Sequence, residues 1–164
     1  MIDSLNGILL EKGQDHVVVE CHGVGYLVHV TSTTLTRLGA SGPCRLHIHY
    51  AVTVDVRSGS SEHRLYGFLH PDERRLFRQL IDVQGVSTTL GLAILGARGA
   101  EEVHLAILAG EEGFFKAVKG IGPKLAQRIV GELRGRLAQG PLPTEGTLSA
   151  GGGSPGNTLR AEAL

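Results

Sequence analysis

Residues 116–128 read KAVKGIGPKLAQR, with two glycines and a proline inside four positions and a basic, helix-forming run directly after them. Gly120 and Gly122 predict a tight turn through unusual backbone angles, with no Cβ in the way. Pro123 suits the first position of a helix. The backbone N–H groups of Gly122, Lys124 and Leu125 are then left open at a helix N-terminus, where the helix dipole favours an anion. Lys119, Lys124 and Arg128 add charge around that turn. Between positions 116 and 136 six Lys/Arg (116, 119, 124, 128, 134, 136) face one acid, Glu132, although the whole chain has a formal net charge of zero. The chemistry is non-covalent, and its natural ligand is a phosphodiester backbone contacted without reading bases. The other reading of one such turn is an ordinary connection between helices.

A second copy supports the ligand reading. LIDVQGVSTTLGLAIL (80–95) aligns on FKAVKGIGPKLAQRIV (115–130) at an offset of 35 residues. Val83 falls on Val118, Gly85 on Gly120, Val86 on Ile121, Leu90 on Leu125 and Ile94 on Ile129. Two units of helix, glycine turn and helix are expected. The GIGPKL turn does not fit a Walker A loop, and it lacks the third glycine of a dinucleotide-binding GxGxxG, where Leu125 or Ala126 stands.

Catalytic chemistry finds no matching pattern. There is no GxSxG, and no acid cluster suited to a two-metal nuclease. Glu101–Glu102 and Glu111–Glu112 read as solvated surface pairs. Among eight histidines, His47 and His49 share a strand face and His16, His22 and His29 lie nearby in sequence, but no CxxC or HxxxH spacing occurs. They read as barrel-surface or subunit-contact residues, and neither metal nor cofactor is expected. Cys21 and Cys44 read as isolated, reduced, buried thiols.

These turns need elements to position them. Residues 1–68 are strand-like: VVVECHG, GYLVHVTST, CRLHIHYAVTVDV and RLYGFL alternate or run in β-branched residues, separated by EKGQD, HGVG, GASGP and RSGSS. The spacing predicts a small antiparallel barrel. From His70 the texture becomes helical. PDERRLFRQLIDV opens on Pro71 and Asp72 and repeats Leu76, Phe77, Leu80 and Ile81 at helical spacing. Leu76, Phe77 and Leu80, with Phe114, Phe115, Leu133 and Leu137, are expected core residues. Residues 139–164 open as GPLPTEGTLSAGGGSPGNT, a flexible linker by composition, and close on LRAEAL. The fold class is thus a β barrel plus all-α, in 164 residues. No apolar run nears the roughly 20 residues of a membrane span, and a cytoplasmic location without membrane contact is expected.

The motif VKGIGPKLAQRI resembles a helix-hairpin-helix DNA-binding element. Together with the tandem copy, the opening MIDSLNGILLEK, the strand GVGYLVHV and the run RLYGFLHPDERRLFRQLIDVQGV, the chain resembles the RuvA family over about residues 1–138. The resemblance implies an OB-fold barrel (1–68) for tetramerisation and the junction centre. It implies a tandem helix-hairpin-helix DNA-binding domain (69–138), then a linker and the start of a C-terminal domain (139–164) of which the rest is missing. It implies a non-catalytic homotetramer, or an octamer of two tetramers face to face, that binds four-way (Holliday) DNA junctions. A RuvB-like hexameric ATPase and a RuvC-like resolvase would be its partners in recombination and repair. A runner-up is an accessory hairpin domain of a nuclease or ligase complex, and a third reading is an oligomerisation module whose hairpins only pack.

The resemblance assigns DNA contact to Gly85, Val86, Ser87, Thr88 and Thr89 in the first hairpin. In the second it assigns Lys119, Gly120, Ile121, Gly122, Pro123, Lys124 and Arg128. The first hairpin departs from the family pattern: Ser87 stands for its second glycine and Thr89 for a lysine, so a weaker first hairpin is expected, with hydroxyls available to phosphate. The family also carries a pair of acids on a barrel hairpin. In AVTVDVRSGSSEHRLYGF, about six residues longer than usual, one count places Val54 and Asp55 there and another Ser60 and Ser61. Asp55 and Glu62 are the only acids available and are the acidic-pin candidates, with two solvated loop acids as the alternative.

Overall fold

A computed structural model describes residues 1–138; the linker and LRAEAL readings lie outside the described residues. Five strands close into a barrel in the order β1-β2-β3-β5-β4. They are β1 (Ser4–Lys12), β2 (His16–Cys21), β3 (Val24–Val30), β4 (Gly42–Val54) and β5 (Ser61–Phe68), with a short helix α1 (Ser32–Arg37) between β3 and β4. Neighbours are antiparallel except β3 and β5, which run parallel from Val28–Leu65 to Val30–Gly67 and seal the barrel. This is the OB-fold arrangement.

The alternation visible in the strands fills the lumen. Leu5, Leu9, Val17, Val19, Val28, Val30, Leu46 and Ile48 point inward and are buried, as a period of two requires. Two devices shape the walls. His22 and Gly23 both have positive φ (51° and 84°), the conformation a two-residue β2–β3 hairpin demands. Gly7 lies where strands crowd: a Cβ there would stand 2.0 Å from the Glu20 carbonyl oxygen, so no other residue fits without moving the backbone. The helix α1 replaces the tail of what reads in the sequence as strand GYLVHVTST. Thr31 caps it, its hydroxyl accepting from the Thr34 N–H at 3.1 Å. Lys12 closes the other end, its Nζ donating to the carbonyls of Leu35 and Leu38 at 2.6 and 2.8 Å.

Five helices follow: α2 (Pro71–Asp82), α3 (Thr88–Arg98), α4 (Ala100–Ala109), α5 (Glu112–Lys116) and α6 (Pro123–Leu137). Their apolar faces meet in a core holding Leu76, Phe77, Leu80, Ile94, Ile107, Phe115, Ile129 and Leu133, all essentially inaccessible to water. Of the expected core residues, Phe114 is only half-buried and packs against the others from outside. Each fully buried Leu, Ile or Phe contributes about 1.5–3 kcal/mol relative to exposure.

Barrel and helices share a seam. Tyr66 and Phe68 of β5 belong to the helical core, and the Phe68 and Phe77 rings lie 4.9 Å apart. Arg74 donates to the Asp3 carbonyl and carboxylate, both at 2.8 Å, and to the Ile48 carbonyl at 3.1 Å. Arg78 donates to His49 Nδ1 at 3.3 Å, and the His49 ring packs 5.4 Å from Phe77. Burial and the neighbouring Arg78 and Arg74 cations hold the His49 imidazole below its ordinary pKa, so it serves this seam as a neutral acceptor.

Candidate nucleic-acid interface

The two hairpins are the same backbone built twice. In the first, Val83 N–H bonds the Leu80 carbonyl (3.1 Å), Val86 N–H bonds that of Val83 (3.0 Å), and Gly91 N–H that of Ser87 (2.8 Å). In the second, Val118 bonds Phe115 (3.0 Å), Ile121 bonds Val118 (3.1 Å) and Ala126 bonds Gly122 (3.0 Å). Every one of these bonds recurs at the 35-residue offset read from the sequence. Gly85 and Gly120 take positive φ of 97° and 95°, which explains a glycine at both. Val86 and Ile121 are buried and plug the turns into the core, while Gln84, Gly85, Lys119 and Gly120 are exposed.

Gly122 departs from expectation. Its φ of −87° and ψ of 174° are ordinary extended backbone, so only Gly120 needs glycine for conformation. Gly122 is the N-cap of α6, with no side chain to cap it and open space where a Cβ would go. Its bareness leaves the helix end unobstructed. The N–H groups of Gly122, Lys124 and Leu125 have no acceptor among the described residues, as the sequence predicts, and Pro123 has none to offer.

Ser87 occupies the same cap position in the first hairpin, and the difference is chemical. Its hydroxyl accepts from the Leu90 N–H at 3.1 Å. One of the helix-end donors that the second hairpin leaves open is here satisfied internally. The Thr88 hydroxyl accepts from the Tyr66 phenol at 2.8 Å, tying this turn to the barrel. Of the three hydroxyls expected to be available, Thr89 alone has no such partner among the described residues, and it lines a cleft between α3 and the barrel together with His29 and Arg64.

The basic run of 116–136 divides once its partners are known. Lys116 lies 3.4 Å from Glu112, and Arg136 donates to Asp82 at 2.8 Å. Lys119 and Lys124 are exposed and have no carboxylate partner among the described residues. They flank the uncapped end of α6. Arg128 crosses from the second hairpin to the first, donating to the Gln84 carbonyl at 2.9 Å. It sets a cation at the turn whose own lysine position is Thr89. This crossing joins residues 44 apart in sequence and has no signal in either repeat by itself.

The pin candidates do not form a pair of free carboxylates. Asp55 turns back on its own loop, accepting from the Arg57 N–H at 2.9 Å and the Ser58 hydroxyl at 2.8 Å. Those bonds hold its carboxyl below the usual range. Glu62 accepts from Arg64 Nε at 2.7 Å. Among the described residues no group of three or more His, Cys, Asp or Glu is placed to hold a metal. Cys44 is buried and Cys21 only partly so, which corrects the reading of two buried thiols. No described helix is long and apolar enough to cross a membrane.

A closed five-stranded barrel carrying two helix–glycine turn–helix units with the same turn hydrogen bonds defines a barrel-plus-tandem helix-hairpin-helix protein. Residues 1–67 match the family described as RuvA N terminal domain, and residues 77–135 match the SAM-like helix-hairpin-helix tandem. The chain is 45% identical over 156 residues to the Holliday junction branch migration complex subunit RuvA of Chromobacterium violaceum, covering 94% of this chain and 74% of that one. It is 42% identical over 134 residues to that of Novosphingobium aromaticivorans, covering 82% and 63%. With that of Xanthobacter autotrophicus it shares 34% over 169 residues, covering 98% and 80%. The chain belongs to the RuvA family.

Proposed function

We propose that this chain binds four-way DNA junctions by their phosphate backbones, as the non-catalytic subunit of a branch-migration complex in recombination and repair. The observation that carries this reading is the doubled hairpin, one backbone repeated at a fixed offset with its helix ends and uncommitted lysines turned outward. One hairpin can hold one stretch of backbone; two linked rigidly can follow a duplex arm. The printed name of the relatives, a Holliday junction branch migration complex subunit, supports the junction as target. It does not favour an accessory domain of a nuclease or ligase.

The second hairpin is the stronger contact, through Lys119, Gly120, Ile121, Gly122, Pro123, Lys124 and Arg128. The first contributes Gly85, Val86, Ser87, Thr88 and Thr89 with fewer open donors. In this reading residues 1–68 form the assembly and junction-centre unit and 69–138 the DNA-binding unit. Assembly is as a homotetramer or octamer, acting with a RuvB-like ATPase and a RuvC-like resolvase in the cytoplasm.

Competition between a four-way junction and linear duplex of identical sequence, over a salt series, tests the proposal. Junction preference with affinity falling steeply as salt rises is the expected result. Equal affinity for both would reduce the chain to a general phosphate binder, and indifference to DNA would make the hairpins packing elements only.

A further inference from the structure

His49 stands on the outer face of β4, between the barrel and α2, and pairs across the ladder with Tyr66 of β5. Its ring lies 5.4 Å from that of Phe77 and 6.2 Å from that of Tyr66. Its Nδ1 accepts from Arg78 Nε at 3.3 Å. A guanidinium is always charged and can only donate, so this bond exists only while Nδ1 carries no proton. An imidazolium here would lose the bond and set a second cation against Arg78. The groups around it offer no countercharge. Among the described residues the charges acting on His49 are Arg78 and Arg74, both from α2. The one acid nearby, Asp3, is engaged by Arg74 at 2.8 Å. On the same strand face stands His47, itself facing Arg74 and Arg45. On β5, Arg64 is paired with Glu62. On β3, His29 lies beyond the Tyr66 ring and faces Asp15 and Arg64.

We propose that His49 is a pH-sensitive latch between barrel and helices: when protonated it repels Arg78, loosens the seam around Tyr66 and releases the first hairpin from the barrel. The groups it touches are the ones that hold this seam. Arg74 and Arg78 both donate to the Ile48 carbonyl, at 3.1 and 3.4 Å. Tyr66, packed on His49, donates to Thr88 at the start of α3 at 2.8 Å. The barrel lumen and the helical core are separate clusters, so this contact can slacken while both stay folded. The sign follows from the bond. The neutral ring favours the closed seam, so its contribution is complete above about pH 6.5 and declines as pH falls below that. The latch is a property of the free chain and stands whether or not the ligand is a junction.

The test is amide exchange of the full chain, followed by NMR from pH 7.5 to 5.5 and corrected for the intrinsic pH dependence of exchange. The N–H groups of Val86 and Gly91, bonded within the first hairpin, are compared with Ile121 and Ala126, their equivalents in the second. On acidification the first pair is expected to exchange several-fold faster relative to the second, with a midpoint matching the His49 ring titration. H49N keeps a neutral acceptor that cannot be protonated, and is expected to abolish the rise. R78Q removes the adjacent cation, so His49 should titrate at higher pH and the midpoint should move up with it. A purely structural role for Arg78 would instead raise exchange equally at every pH. A rise that persists in H49N overturns the latch, as does an unmoved midpoint in R78Q. Titration of the His49 ring without any change in exchange also overturns it. Should H49N fail to fold, the ring titration and the R78Q midpoint still decide.

Discussion

Gly85 of the first hairpin faces Leu125 of the second: a Cβ on Gly85 would stand 3.2 Å from Leu125 Cδ1. The reciprocal pair is Gly120 and Leu90, at 3.7 Å from Cβ to Cδ1. Leu90 and Leu125 are themselves equivalents at the 35-residue offset, so each turn glycine receives the leucine of the other unit. The hairpins are fitted to each other as well as to a ligand. Gly85→Ala, strained by its φ of 97° and pressed on Leu125, is expected to cost about 1–3 kcal/mol, read by urea denaturation. Gly122→Ala, with ordinary backbone angles and open space, should cost under about 1 kcal/mol. If Gly122→Ala proves the more damaging of the two, the turn geometry described here is wrong.

Lys124 and Lys116 separate local charge from net charge. Lys124→Glu is expected to weaken junction binding at least ten-fold, about 1.4 kcal/mol or more, since an uncommitted cation at the helix end becomes a repulsion. Lys116→Gln should change affinity little, its charge being engaged by Glu112 at 3.4 Å. Salt-dependent gel shifts decide between them. Equal effects would mean the ion pairs do not sort the cations.

Arg128 should be worth more than its charge. Arg128→Lys keeps the cation but loses the planar group that reaches the Gln84 carbonyl at 2.9 Å. A stability loss of about 1 kcal/mol is expected, together with weaker junction binding. Full retention of both by Arg128→Lys would remove the bridging role.

Tyr66 and Thr88 couple the barrel to the first hairpin through one bond of 2.8 Å. Tyr66→Phe is expected to cost about 0.5–1.5 kcal/mol. It should also speed amide exchange at Thr88 and Thr89 more than at Lys124 and Leu125. Equal exchange in both hairpins would show that the tie does not order the first.

His104 sets a pH dependence. It is 2% exposed, its Nε2 has no hydrogen-bond partner among the described residues, and burial holds its imidazole below the ordinary value of 6.5. The folded chain therefore binds fewer protons here than the unfolded one. The contribution of the neutral ring is complete above about pH 6.5 and is lost as pH falls below it. His29, His47 and His49 are shifted the same way, each chiefly by burial. Melting temperature should drop between pH 7.5 and 5.5, and His104→Leu should flatten that drop. An unchanged slope in His104→Leu would place the dependence on the other three.

Local pattern by itself determined the strand alternation of the barrel, the helical periodicity after His70, and the doubled hairpin with its glycines and open amides. These are short-range consequences of residue type and spacing, and a backbone bond from Val86 to Val83 depends on nothing farther away. Tertiary structure decided the rest, because it depends on which distant groups meet. It bent the tail of the third strand into α1, where Lys12 waits for its carbonyls. It gave Gly122 ordinary angles, since Pro123 and the helix behind it need no left-handed entry. It paired Arg136 with Asp82, sent Arg128 across to Gln84 and bound Thr88 to Tyr66. Ion pairs and cross-unit contacts join residues tens of positions apart, and no spacing rule in one dimension reports them.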